Sequence, residues 1–297
     1  MRIGYPCINN SIGCTANHTF RLASYSRKKL LDTVKENLDC LKKTLGWNLE
    51  HGIMFFRIGS SLVPFASHPV CKVRWQERFS DEFRELGAFV RKHRMRISMH
   101  PDQFIVINSK DKGIVKRSVK ELEYHSQVLD AMHLDITAKV QLHVGGVYGD
   151  KESAVSRFVS EYKKLPAHVK RRLVIENDER CYCLKDCLGI SRKTGVAVLF
   201  DSFHHECYNK GESFRQAVGS AAKTWKRKDG RPTVDYSSQK KGRKKGSHTV
   251  TINTKHFLGF IRETKGIDPD VMLEIKDKEK SALKAVEALR KKGKKIR

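Results

Sequence analysis

The chain has 297 residues, 39% hydrophobic and 31% charged, and its 59 Lys and Arg against 33 Asp and Glu give a formal charge of +26. No apolar run approaches the roughly 18 residues that cross a bilayer, and the N-terminus MRIGYPCINN lacks a secretory pattern. Membrane and secreted classes are therefore set aside in favour of an intracellular protein of the cytoplasm, the nucleoid or a nucleus, and the positive field suits a polyanion, because counterion release from phosphates drives binding.

In chain order, strands are predicted at Arg2–Tyr5, Ile53–Ile58, Arg96–Met99, Lys139–His143, Arg172–Ile175, Val196–Phe200, Thr233–Ser237 and Val271–Ile275. Most are dense in β-branched and aromatic residues, as strands covered on both faces are. Helical periodicity fills the gaps. Leu30, Leu31, Val34, Leu38, Leu41 and Leu45 recur at spacings of three and four, and Trp75, Phe79, Phe83, Leu86 and Val90 repeat the pattern. Further helices are expected over Val115–Met132, Ala154–Lys164, Leu184–Thr194, Phe214–Lys226, Thr254–Thr264 and Glu279–Lys291. Strict alternation implies parallel strands with right-handed crossovers. Eight repeats favour a closed (β/α)8 TIM barrel of roughly 250 residues or more, with an open doubly wound sheet as the alternative. No domain boundary is visible, so residues 1–297 read as one domain. Gly59–Val73, with Pro64 and Pro69, is a long loop, and Lys226–Arg231 and Gln239–Ser247 are basic, glycine-rich segments flanking strand seven. The second of these is read as contacting phosphates. Cys7, Cys14, Cys40, Cys71, Cys181, Cys183, Cys187 and Cys207 contain no C-x-x-C pair. That weighs against a zinc ribbon, and the CYCLKDC run reads as reduced thiols, with metal binding as its alternative.

Six strands end at or beside a potential ligand: His100, His143, Glu176, Asp201, Asp235 and Glu274. In a (β/α)8 barrel all these ends converge on the active face. His204, three residues after Asp201, and His248 bring the set to eight N and O donors. Eight exceed what a single catalytic ion takes from a protein. Two or three ions, bridged by Glu176 or Glu274, fit better. The absence of Cys points to Mn²⁺, Mg²⁺ or Zn²⁺. Such a site facing a phosphate, in a strongly basic protein, reads as phosphodiester hydrolysis.

The motifs GYPCIN (Gly4–Asn9), FRIGSSLVPFASHP (Phe56–Pro69), SMHPDQF (Ser98–Phe104), LHVGGVYGDK (Leu142–Lys151), ENDER (Glu176–Arg180), DSFHH (Asp201–His205), VDYSSQ (Val234–Gln239) and VMLEIKDKE (Val271–Glu279) cover almost the whole chain. With them the sequence resembles the UV damage endonucleases, barrels related to endonuclease IV. The resemblance implies a DNA repair enzyme that nicks double-stranded DNA immediately 5′ of a UV photoproduct, leaving a 3′-hydroxyl and a 5′-phosphate, with manganese as the usual metal. It implies His100, His143, Glu176, Asp201, His204, His248 and Glu274 as ligands, with Asp235 standing where a His ligand is familiar. Catalysis falls to Glu176, Glu274, Asp235 and His248. Gln103 and Phe104 match a pair that wedges into the duplex, Tyr5 and Asn9 match residues lining a pocket for flipped-out bases, and His68 faces the site or holds its loop. A chain of this size is expected to work as a monomer.

Two departures stand out. Lys-Val-His is familiar after strand seven, where this chain has Thr233-Val234-Asp235, and a tyrosine is familiar where Phe104 stands. An Asp ligand should favour Mn²⁺ or Mg²⁺ over Zn²⁺, and Phe104 keeps a stacking ring without a hydroxyl. An abasic-site endonuclease of the endonuclease IV kind is the nearest alternative. A sugar isomerase-type barrel would need no such positive charge.

Overall fold

A computed structural model describes residues 1–296; Arg297, the last residue of the basic tail, lies outside the described residues. Eight parallel strands, β1 (Ile3–Pro6), β2 (Phe55–Ile58), β3 (Arg96–Met99), β4 (Lys139–His143), β5 (Leu173–Glu176), β6 (Ala197–Asp201), β7 (Thr233–Tyr236) and β8 (Asp270–Leu273), pair in sequence order. The ring closes where Ile3 and Gly4 of β1 meet Val271 and Met272 of β8. The open-sheet alternative is thereby removed. Gly4 is needed where β1 meets β2: a Cβ there would run into the Phe55 carbonyl.

Around the barrel lie α1 (Arg27–Glu50), α2 (Trp75–Arg78), α3 (Ser80–Lys92), α4 (Lys112–Ala131), α5 (Lys151–Lys164), α6 (Ala167–Lys170), α7 (Leu184–Thr194), α8 (Ser202–Cys207), α9 (Phe214–Ala222), α10 (Thr254–Glu263) and α11 (Glu279–Lys291). The stripe in α1 buries Leu30, Val34, Leu38, Leu41 and Leu45 against the sheet. Ser26 caps its start, accepting from the Lys29 N–H. The predicted second helix is broken in two at Phe79, whose backbone (φ −117°, ψ 27°) is not helical. The periodicity survives the break because Trp75, Phe79 and Phe83 are all buried. Short α6 and α8 carry too few residues to show a period and were not anticipated. Among the described residues, no helix is long and apolar enough to cross a membrane.

Most of the apolar core lies between sheet and helices. Barrel lumens are usually filled by branched aliphatics, but here a small apolar patch of Val174, Ala197 and Leu199 is accompanied by two charged layers. In one layer Arg96 and Arg2 pair with Asp270, and Lys139 pairs with Asp229. In the other, Arg57 on β2 reaches Gln141 on β4 and Asp235 on β7. Buried charges need partners, and only a closed lumen brings strands this far apart in sheet order together.

Cys14 and Cys40 form a disulfide, unanticipated from the sequence, that ties the loop after β1 to α1. Cys181, Cys183 and Cys187 are free thiols, as read.

Candidate metal centre at the C-terminal rim

Parallel register sets the donors side by side. His143, the last residue of β4, is opposite Glu176, the last of β5, and Asp201 on β6 is opposite Asp235 on β7. His100 follows β3 and Glu274 follows β8 by one residue each. Asp201 also caps α8: one carboxylate oxygen accepts from the His204 N–H at 2.7 Å, which turns the His204 ring back over the barrel mouth.

Three overlapping groups result, each with ligand atoms within 4.8 Å of one another: His100, His143 and Glu176; Glu176, Asp201 and His204; Asp201, Asp235 and Glu274. Glu176 and Asp201 each belong to two groups, so they are the bridging positions. Glu274, expected as a bridge, belongs to one. His248 falls outside all three; its ring lies beside those of Phe203 and His204, and it lines the adjoining cavity.

The donor atoms fit divalent ions. The Nε2 atoms of His100 and His143 converge on Glu176 Oε1 at 2.8 and 3.1 Å, yet that oxygen makes no hydrogen bond. Asp201 Oδ2 is also buried without a hydrogen bond. The outer nitrogens of two rings are held by backbone, His204 Nδ1 donating to Asn177 O at 3.0 Å and His248 Nδ1 to Glu274 O at 2.8 Å. Such outer bonds fix the tautomer that leaves Nε2 free to ligate.

Electrostatics agree. Burial raises the Glu176 carboxyl, but the imidazoles of His143, His100 and His204 hold it down at about 2. Burial, aided by Glu274 and Glu176, pushes Asp201 up to about 6. Burial opposes a charge on His204, and Asp201, Glu176 and Glu274 overcome it, raising that ring to about 10. Of the four carboxyls in these groups, Asp201 and Asp235 are thus pushed up by burial and by their acidic neighbours, while Glu176 and Glu274 are held down by the cations beside them.

Asp235 has a second set of partners. Although it belongs to the third group, its oxygens are not free: both accept from Arg57 Nη2 at 2.8 and 2.7 Å, and Oδ2 accepts from Gln141 Nε2 at 2.7 Å. It is the partner of a buried guanidinium as well as a member of the third donor group. Arg57, 3% exposed, also pairs with Glu274. Sequence reasoning missed Arg57 and Gln141. Their only signal was a charged residue in the otherwise apolar FFRI and an amide between the apolar residues of KVQLH. Glu179 was missed too; its Oε2 is 3.9 Å from His204 Nε2.

The expected DNA-contacting residues divide. Phe104 is 68% exposed at the rim, so ordinary barrel packing does not account for it. Gln103 lies between a cavity of about 390 Å³, lined by Arg57, His100, His248 and Glu274, and one of about 350 Å³ that includes His143, Glu179 and Arg180. Tyr5 and Asn9 do not line a base pocket. Tyr5 is fully buried between sheet and α1, its hydroxyl donating to Asn48 at 2.6 Å and accepting from Asn9 at 2.8 Å, while its ring packs on Phe56. Gly4 and Tyr5 point to opposite faces of β1, and the bond to Asn48 of α1 shows Tyr5 facing the helices. His68 accepts from the Val70 N–H at 3.1 Å, holding its own turn beside Phe104.

A closed (β/α)8 barrel with His, Asp and Glu gathered at its C-terminal rim is the arrangement of a TIM-barrel enzyme whose site can take metal ions. The model of the UV-endonuclease UvdE family matches residues 1–296, and the chain belongs to that family of DNA repair endonucleases acting on UV damage. A UV DNA damage endonuclease from Clostridium perfringens (strain 13 / Type A) is 41% identical over 98% of this chain and 71% of its own. One from Bacillus thuringiensis subsp. konkukian (strain 97-27) is 31% identical over 97% and 94%. A crystal structure of SacUVDE superposes with a TM-score of 0.95 at 44% identity, covering 99% of this chain and 100% of the other. D-Psicose 3-epimerase from Clostridium cellulolyticum H10, at 14% identity and a TM-score of 0.55 over 86% and 92%, shares the fold alone.

Proposed function

We propose that this endonuclease is metal-dependent and nicks double-stranded DNA immediately 5′ of cyclobutane dimers and 6-4 photoproducts, leaving a 3′-hydroxyl and a 5′-phosphate. The observation that carries the reading is the convergence of unpartnered Glu176 and Asp201 oxygens with His100, His143 and His204 on one rim, next to the exposed ring of Phe104.

Divalent ions there, with Mn²⁺ favoured by the all-N/O donor set, would lower the pKa of a water and stabilise charge on the attacking and leaving oxygens. His100, His143, Glu176, Asp201 and His204 would hold them. Glu274, which also pairs with Arg57, would add negative charge beside the ions, and His248, which lines the cavity next to that cluster, would orient the scissile phosphate. Gln103 and Phe104 would enter the duplex at the lesion, where stacking is already weakened and distortion costs less. His68 would hold the neighbouring turn in place. The rim and the wedge come from one chain, which supports action as a monomer.

The test is nicking of an end-labelled duplex carrying a single cyclobutane dimer, with Mn²⁺ against EDTA, beside undamaged and abasic duplexes. Metal-dependent cutting directly 5′ of the dimer is expected. Cutting confined to the abasic duplex would move the protein to the endonuclease IV reading, and cutting undiminished by EDTA would remove the metal mechanism.

A further inference from the structure

We infer that the Arg57 guanidinium occupies the place of a third cation, so that this chain holds two divalent ions rather than three. The inference rests on the metal reading above and concerns how many ions the site takes.

The three donor groups are not alike. Two contain imidazoles and share Glu176; the third, Asp201, Asp235 and Glu274, is all carboxylate. Two of those three carboxylates already hold Arg57. Nη2 donates to both Asp235 oxygens at 2.8 and 2.7 Å, and Nη1 pairs with Glu274 Oε1. The planar fork spans the group as a cation would, and it is permanent, because a guanidinium in a protein does not lose its proton. Arg57 is also fixed in position: it lies on β2, is 3% exposed, and donates to Gln141 Oε1 at 2.8 Å. A dication among the same carboxylates would face this buried positive charge at close range, where repulsion is little screened.

Gln141 carries the arrangement on to the remaining groups. Its Nε2 donates to Asp235 Oδ2 at 2.7 Å and to Glu176 Oε2 at 2.6 Å. That leaves Glu176 Oε1 for the histidines. Arg57 is thus a positioning residue for the bridging carboxylate as well as an occupant. The departure at Asp235 acquires a reason: an acidic residue there completes the guanidinium's partners, where an imidazole would not accept two bonds from it.

The experiment counts Mn²⁺ per full-length chain, by elemental analysis after equilibrium dialysis against Mn²⁺ alone, for wild type, Arg57→Ala and Arg57→Lys, with circular dichroism as the check on folding. The expected counts are two for wild type, three for Arg57→Ala and two for Arg57→Lys. Three ions in the wild type, or an unchanged two in folded Arg57→Ala, would overturn the inference while leaving the metal reading in place. No bound Mn²⁺ in the wild type would remove the metal reading itself. If Arg57→Ala fails to fold because Asp235 loses its partner, Arg57→Lys decides: two ions uphold the inference and three overturn it.

Discussion

At the scale of single residues, Glu176 bears the most. It is shared by two donor groups and has one oxygen without a hydrogen bond. Glu176→Ala should lower the nicking rate by at least about 100-fold, since even outer partners of metal ligands cost about 10–100-fold. An unchanged circular dichroism spectrum with that loss is the expected result; retained nicking would contradict the cluster mechanism. His204 sets a pH dependence. With its ring raised to about 10 in the metal-free protein, it is protonated at neutral pH, so ion binding there must release that proton, and apparent affinity for Mn²⁺ rises with pH. Calorimetric titration in two buffers of different ionisation enthalpy at pH 7.5 should show release of about one proton; heats independent of buffer would refute the displacement. The same shift makes the metal-free fold less stable at high pH. A raised folded-state pKa contributes stability fully below about 6.5, and that contribution is lost as pH rises through about 10. Tyr5 belongs to stability rather than to recognition. Tyr5→Phe leaves buried Asn48 and Asn9 groups unpaired and should cost about 1–3 kcal/mol in denaturant unfolding, with preference for damaged duplex unaltered. Altered preference at unchanged stability would restore a pocket role.

At the scale of elements, the loop between β3 and α4 projects Phe104 while keeping its root packed, for Ile105 and Ile107 are buried just behind it. Scattered exposed apolar residues are ordinary, but this ring stands at the mouth of the site beside Gln103. The double variant Gln103→Ala, Phe104→Ala should reduce the binding ratio of dimer-containing to intact duplex, base stacking on an aromatic being about 1–3 kcal/mol, or roughly 5- to 150-fold, with the Mn²⁺ count unchanged. A ratio equal to that of the wild type would dismiss the wedge. The segment after β7 is held differently. Gln239 bonds the Lys240, Arg243 and Lys244 carbonyls and the Gly246 N–H, and pairs with His248 as an isolated bridge. One amide side chain thus presents a basic loop at the rim.

At the scale of the whole molecule, the charge of +26 sets how the protein meets DNA. Each phosphate neutralised should contribute a slope of about −0.9 in log K against log salt. Replacing Lys240, Lys241, Arg243, Lys244 and Lys245 together by Ala should make that slope shallower while leaving the Mn²⁺ count unchanged. A wild-type affinity indifferent to salt would argue against phosphate contacts. The closed barrel makes this economical: one rim gathers the donors, the exposed Phe104 ring and the basic loop from segments spread over nearly the whole sequence.

The sequence by itself determined the repeat of strand and helix, because buried parallel strands and amphipathic helices have different periods. It also determined the residue types at the strand ends, so that His100, His143, Glu176, Asp201 and His204 were legible as one cluster once the repeat was seen. Local caps such as Asp201 on His204 were implicit in a spacing of three. Only the tertiary structure decided what crosses the lumen. Arg57 on β2 meets Gln141 on β4, Asp235 on β7 and Glu274 just after β8, and those pairings depend on closure and on how far each side chain reaches. No sequence spacing encodes those distances. That is why Asp235 read only as a ligand, with its guanidinium partner out of sight. Likewise Tyr5 read as a stacking surface, and the direction of one side chain across β1 put it in the core instead.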